Sequence, residues 1–145
     1  MKNLYKSLAS FQQEVPVIHK ATEGFGYSYA DLPSIFGVIN PLLQKNGLGF
    51  YQAVETTTNG TAIRTVVFHI ESGEAIQSDT SIPSNVQLAK MNQFQVLGSA
   101  ITYIRRYALS SMLGLVTDKD TDASGEQVVQ LDKKEKPGFV KELDF

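Results

Sequence analysis

The sequence predicts an α+β fold: an antiparallel β-meander of about three strands packed on a long helix, with N-terminal helices before it and a flexible acidic C-terminal tail after it. Three observations carry that expectation. From Gln95 to Leu115 the chain keeps a helical period, with Phe94, Leu97, Ile101, Ile104, Ala108 and Met112 recurring at spacings of three and four. Between Leu48 and Ile82 the period changes, and residues become aromatic and β-branched around Asn59-Gly60 and Ser72-Gly73, both strong turn signals. From Asp118 onward the chain is polar, acidic and aperiodic.

The elements follow in order. Leu4, Leu8, Phe11, Val15 and Ile18 define one face of a first helix, which Pro16 kinks or ends near Val15. Thr22 to Ser28 is a glycine-broken loop. Its glycines lack the Lys-Ser/Thr of a phosphate-binding loop, so it offers no nucleotide cradle. Asp31 is placed to cap a second helix, with Pro33 in its first turn and Ile35, Phe36, Ile39, Leu42 and Leu43 on its apolar face. Pro41 makes that helix irregular, and Asn46-Gly47 stops it. Strands then run over Leu48–Thr58, Thr61–Ile70 and Glu74–Ile82. In the second, Ile63, Thr65, Val67 and His69 share one face, and Arg64, Val66, Phe68 and Ile70 the other. The long helix is expected from about Asn85.

Composition bounds the function. A chain of 145 residues with 42% hydrophobic residues suits one domain with an ample core. It contains no Cys, which excludes disulfides, thiol catalysis and cysteine-ligated zinc, and fits a reducing cytoplasm. The first residues lack the apolar run of a signal peptide, and no run of about 18 apolar residues spans a membrane. Net charge is −2. Residues 1–117 hold eight Lys/Arg against seven Asp/Glu, a balance of +1, and residues 118–145 hold five against eight, a balance of −3. Any basic surface must therefore be a local patch, reinforced by repetition in an oligomer.

The long helix holds the only adjacent arginines, Arg105 and Arg106. At about 100° per residue they point different ways. Arg106 falls with Gln95, Ser99 and Thr102 on the expected polar face, and Arg105 lies at the edge of the apolar stripe. Arg106 is thus expected to be the more accessible, and Arg105 partly buried. A guanidinium binds phosphate bidentately. It also forms structural ion pairs, and the residues leave both roles open. Tyr103 and Tyr107 form an i,i+4 aromatic pair on a third arc.

G-S-A-I-T-Y-I-R-R-Y-A-L, then L-G-L, then D-K-D-T-D resembles the signature of the ERF (essential recombination function) family, the single-strand annealing proteins of phages and prophages. Y-S-Y-A-D-L at 27–32, N-P-L-L-Q-K-N-G-L at 40–48 and H-I-E-S-G-E at 69–74 occur in the family's order. The resemblance covers roughly residues 3 to 122. It departs at Ile104, where a small residue is expected. It implies an annealing domain over residues 1–117, with 118–145 as the tail. It also implies a hairpin-plus-helix core, assembly into rings or filaments, and ATP-independent binding and annealing of single-stranded DNA in the bacterial host cytoplasm. No cofactor and no catalysis are expected.

On that reading Arg105, Arg106, Arg64 and Lys90 are candidate phosphate contacts, and Tyr27, Tyr29 and Tyr103 candidate stacking platforms for bases. Lys2, Lys6, Lys20 and Lys45 read as solvated charges. Asp118, Asp120 and Asp122 alternate as in a calcium loop, but its sixth position is Ala123 and its twelfth Val129, which leaves at most weak magnesium binding. His19 and His69 fit no catalytic spacing. The acidic, Phe-ended segment Val140–Phe145 resembles the tips by which bacterial single-strand-binding proteins recruit partners, and suggests such a protein or an exonuclease as partner. Two other classes are a metal-dependent nuclease using Glu71, Glu74 and Asp79, and a structural oligomer without DNA contact.

Overall fold

A computed structural model describes residues 1–19, 22–23, 28–84 and 90–117. Among these it is α+β: three helices and a three-stranded antiparallel sheet, plus one two-stranded pairing. In order, α1 is Lys2–Glu14, β1 Thr22–Glu23, β2 Ser28–Tyr29, α2 Leu32–Lys45, β3 Leu48–Thr57, β4 Gly60–His69, β5 Ala75–Ser81 and α3 Gln93–Leu113. The main sheet has the order β3-β4-β5, each strand pairing with the next in sequence. The β1–β2 pairing falls on the stretch Thr22–Ser28, expected to be a glycine-broken loop, and extends one residue past it to Tyr29.

Local chemistry sets the boundaries. α1 ends one residue before extended Val15, as Pro16 requires. Asp31 caps α2 by accepting a hydrogen bond from the Ser34 N–H at 2.9 Å. Pro41 does not interrupt α2, which stays a continuous helix; the carbonyl it deprives of a donor belongs to exposed Gly37. The β3–β4 loop is Thr58-Asn59 rather than Asn59-Gly60. Gly60 opens β4 at φ 113, opposite Thr57, and supplies the positive φ that the tight turn needs. Gly49 is needed for another reason: a Cβ there would lie 2.5 Å from the Phe68 ring across the strand pair.

α3 begins at Gln93, later than expected. Lys90 takes a left-handed φ of 66, which breaks any helix arriving from upstream. A reciprocal capping box then starts the helix. The Gln95 N–H donates to the Asn92 side chain at 2.8 Å, and the Asn92 N–H to the Gln95 side chain at 2.9 Å. Gly114, left-handed at φ 70, ends it.

The core lies on one side of the sheet. Leu4 and Phe11 of α1, Ile35, Ile39 and Leu43 of α2, and Leu109 and Leu113 of α3 pack against Leu48 and Val67. A second cluster joins Ile104 of α3 to Ile63 and Ile82, flanked by Ala100 and Ile101. Ile104 therefore fills space between helix and sheet. Ile63, Thr65 and Val67 are buried on the helix side, as the alternation requires, and Arg64 lies on the opposite face. Phe94 and Leu97, expected in the buried stripe, are exposed, Phe94 at 86%. The first turns of α3 overhang the sheet; among the described residues, the packing of α3 on the sheet begins at Ala100.

Side-chain ties fix the helices to the sheet and to each other. Glu74, in the β4–β5 connection, accepts the Leu4 N–H at 2.8 Å and the Asn3 amide at 3.2 Å, so its carboxylate caps the N-terminus of α1. Glu14 accepts from Lys45 and from Asn46, joining the C-terminal ends of α1 and α2. These contacts hold both carboxyls below their ordinary range; for Glu74 the Leu4 amide is the main cause, and for Glu14 the Lys45 hydrogen bond.

A lowered carboxyl pKa contributes stability above the unfolded value, near 4.5 for Glu74, and that contribution fades as pH falls through the lower folded value. Glu74→Gln should therefore lower the melting temperature at pH 7, with the gap to wild type closing below about pH 4.5. Thermal melts of both proteins from pH 7 to pH 3 check this; a gap independent of pH would show that charge on Glu74 plays no part.

Candidate nucleic-acid interface

α3 contains no Asp or Glu, so its only formal charges are the two arginines. Their roles are the reverse of the expectation. Arg106 is buried, at 9% exposure, while Arg105 is half-buried. The reason lies in the last three turns. Leu109 and Leu113 are wholly buried on the side of the helix away from Ile104, and Arg106, at i−3 and i−7 from them, shares that side. The supposed polar face therefore ends at Thr102.

Arg106 braces aromatic side chains. Its guanidinium lies 5.3 Å from the Tyr103 ring centroid and 5.2 Å from that of Tyr107, within cation–π range of both. The two rings meet each other at 4.7 Å. Each tyrosine remains about half exposed. The arrangement is a rigid aromatic step on the helix surface with a permanent cation beneath it. Tyr107 joins Tyr103 here, although the site residues expected from sequence omit it; its i+4 spacing from Tyr103 was the available signal.

Arg105 emerges on the other flank of α3, about 200° round the helix from either tyrosine. Its guanidinium stands 5.8 Å over the Phe36 ring of α2, and its Nε is 3.4 Å from the Gln52 side-chain oxygen on β3. Gln52 also donates to the Arg105 carbonyl at 3.1 Å and to the hydroxyl of buried Thr65 at 3.0 Å. Among the described residues no carboxylate lies within ion-pair distance of Arg105. It is a full positive charge held by neutral groups, which leaves it competent to meet a phosphate.

The other candidates are not gathered at this place. Arg64, on the sheet face away from α3, forms a bidentate pair with Asp79 at 2.8 and 3.0 Å. That pair lowers the Asp79 carboxyl and raises the guanidinium. Lys90 is exposed before the α3 N-terminus, about 20 Å along the helix from Tyr103. Tyr29 sits on β2 opposite Thr22. Tyr27, Lys20 and the tail from Asp118, including Asp120 and Asp122, lie outside the described residues. Of the nuclease carboxylates, Glu74 caps α1 and Asp79 pairs with Arg64. Among the described residues no three His, Cys, Asp or Glu side chains come together as a metal site would need. No described helix is long and apolar enough to cross a membrane.

The profile of the ERF superfamily matches residues 4–140, and the chain belongs to that superfamily. The match runs from α1 through α3 and on past Thr117. No curated protein and no solved structure matches it.

Because Arg106 is packed, its removal should act on stability first. Arg106→Ala should cost about 2 kcal/mol, the scale of a desolvated cation–π contact together with lost packing of the stem. Arg105→Gln, at a half-exposed site, should shift stability by less than about 0.5 kcal/mol. Denaturant titration of both variants measures this, and equal effects would contradict the different roles assigned to the two arginines.

Proposed function

We propose that this protein binds single-stranded DNA and anneals complementary strands without ATP, as a recombination protein of phage or prophage origin. Superfamily membership supports the general activity. The observation that carries the reading in this chain is the half-exposed Tyr103–Tyr107 pair braced by Arg106 on a helix without acidic residues.

The mechanism follows from what each group can offer. Stacking engages the face of a base and leaves its Watson–Crick edge free. A strand held on Tyr103 and Tyr107 is thus immobilised and still able to pair. Arg105 and Lys90 supply phosphate contacts at the flank and at the N-terminal end of the helix. Arg64, neutralised by Asp79, contributes little attraction to phosphate in this arrangement. One protomer presents too little positive charge for tight binding, so a homo-oligomer, as ring or filament, repeats the step along the strand and adds avidity. Strands spread in this way meet without self-pairing. The protein lowers a kinetic barrier, and base pairing supplies the free energy. No bond in DNA is made or broken, and neither nucleotide nor metal takes part in a chemical step.

Tyr103→Ala and Tyr107→Ala should each weaken single-strand binding by about 5- to 100-fold, in line with roughly 1–3 kcal/mol per stacked base, while Tyr107→Phe retains it. Arg105→Gln should reduce the slope of log affinity against log salt by about one. Fluorescence titration over a salt series, with an annealing assay lacking ATP, gives both readouts. Full binding by the double Tyr→Ala variant in a folded protein would remove the reading, and magnesium-dependent cleavage of labelled DNA would favour the nuclease.

A further inference from the structure

Between the overhanging first turns of α3 and the end of the β3–β4 hairpin the fold leaves a groove of about 1000 Å³. Among the described residues its walls are apolar where Val54, Ile82, Met91, Val96, Leu97 and Ile101 meet, and the described lining contains no charged side chain. Phe94, next to the groove, is the most exposed of the large apolar residues described. Val54, Met91 and Leu97 are also exposed. An apolar surface gathered at one place, rather than scattered, marks a docking site.

We infer that this groove receives the C-terminal segment of the same chain, Phe139–Phe145, and this inference is independent of DNA binding. Three observations converge on that occupant. The first is chemistry: Phe139 and Phe145 are the only aromatics after Thr117, and in an extended segment alternation would put them with Leu143 on one side, interrupted by Lys141 alone, and Glu142 and Asp144 on the other. The second is reach. Thr117 is held by a bridge to Ile18 just beyond the C-terminal end of α3, and the groove lies at the other end of that 21-residue helix, about 30 Å away. The 22 residues from Thr117 to Phe139 span about 25 Å as a flexible coil and about 70 Å at full extension. The third is charge. Glu142 and Asp144 arrive beside exposed Lys90 and the positive end of the α3 dipole, with no acidic group in the described lining to repel them.

Tethering strengthens the case. A segment joined by a short linker meets its site at an effective concentration of order mM, so a weak apolar contact suffices for occupancy. An untethered competitor of equal affinity would need a similar concentration to displace it.

The absence of Cys from these 145 residues permits a direct test in the intact chain. Leu97→Cys is combined with Leu143→Cys, and the control combines Gln77→Cys with Leu143→Cys. Gln77 is exposed on the sheet face away from α3. Under mild oxidation at low protein concentration, the 97/143 pair should form an intrachain disulfide at least tenfold faster than the 77/143 pair, seen as a reducible shift of the monomer band. If Leu97→Cys alters the melting temperature, Val54→Cys with Leu143→Cys serves in its place. Equal rates for test and control would overturn the inference, as would disulfides forming only between chains. Occupation of the groove by residues 85–89 gives the first of those results, and exchange between copies gives the second.

Discussion

The last three turns of α3 are apolar on two opposed sides, and the rest of the structure answers that constraint. Ile104 and Ala108 need cover on one side, Leu109 and Leu113 on the other. The sheet covers Ile104 through Ile63 and Ile82. Leu109 and Leu113 enter the main core, where Leu48 and Val67 of the sheet meet Phe11 of α1 and Ile35 and Ile39 of α2. A helix buried on two sides cannot roll about its axis, so its remaining arc is fixed. Tyr103 and Tyr107 occupy that arc, and Arg106 is drawn in beneath them because it lies in line with Leu109 and Leu113.

A polar joint centred on Gln52 crosses the interface between α3 and the sheet. Gln52 holds the buried Thr65 hydroxyl with one hand of its amide and the Arg105 backbone with another, and its oxygen faces the Arg105 guanidinium. Hydrogen bonds of this kind contribute modestly when made and cost more when one partner is lost. Their value here is positional: they set where along β3 the helix rests, and with it where Arg105 emerges.

Much of this was legible in the sequence. The α1 stripe, the stop at Pro16, the Asp31 cap, the meander and the two faces of β4 all follow from short-range rules, and the structure contains each of them. What was not legible depends on packing between distant elements. Spacing alone placed Phe94 and Leu97 in the stripe, yet whether a sheet reaches that far is decided by strand length. Spacing also placed Arg106 on a polar face; Leu109 and Leu113 carried the contrary signal, but a second buried side reads clearly only when α1 and α2 are known to cover it. The late start of α3 was readable in Asn92 and Gln95, a capping box with amide side chains at both positions. Arg64 shows the limit for charge: its neutralisation depends on a cross-strand register that puts Asp79 directly opposite.

The two faces of the fold offer DNA very different surfaces. The α3 side offers the aromatic step, with Arg105 on its far flank; the opposite sheet face offers Tyr51 and Phe68 beside a neutralised Arg64–Asp79 pair. Photocrosslinking to single-stranded DNA carrying 5-bromouracil, followed by mass mapping of the modified peptides, discriminates between them. Adducts on the peptide containing Tyr103 and Tyr107 are the predicted result, and adducts confined to peptides containing Tyr51 and Phe68 would contradict the account.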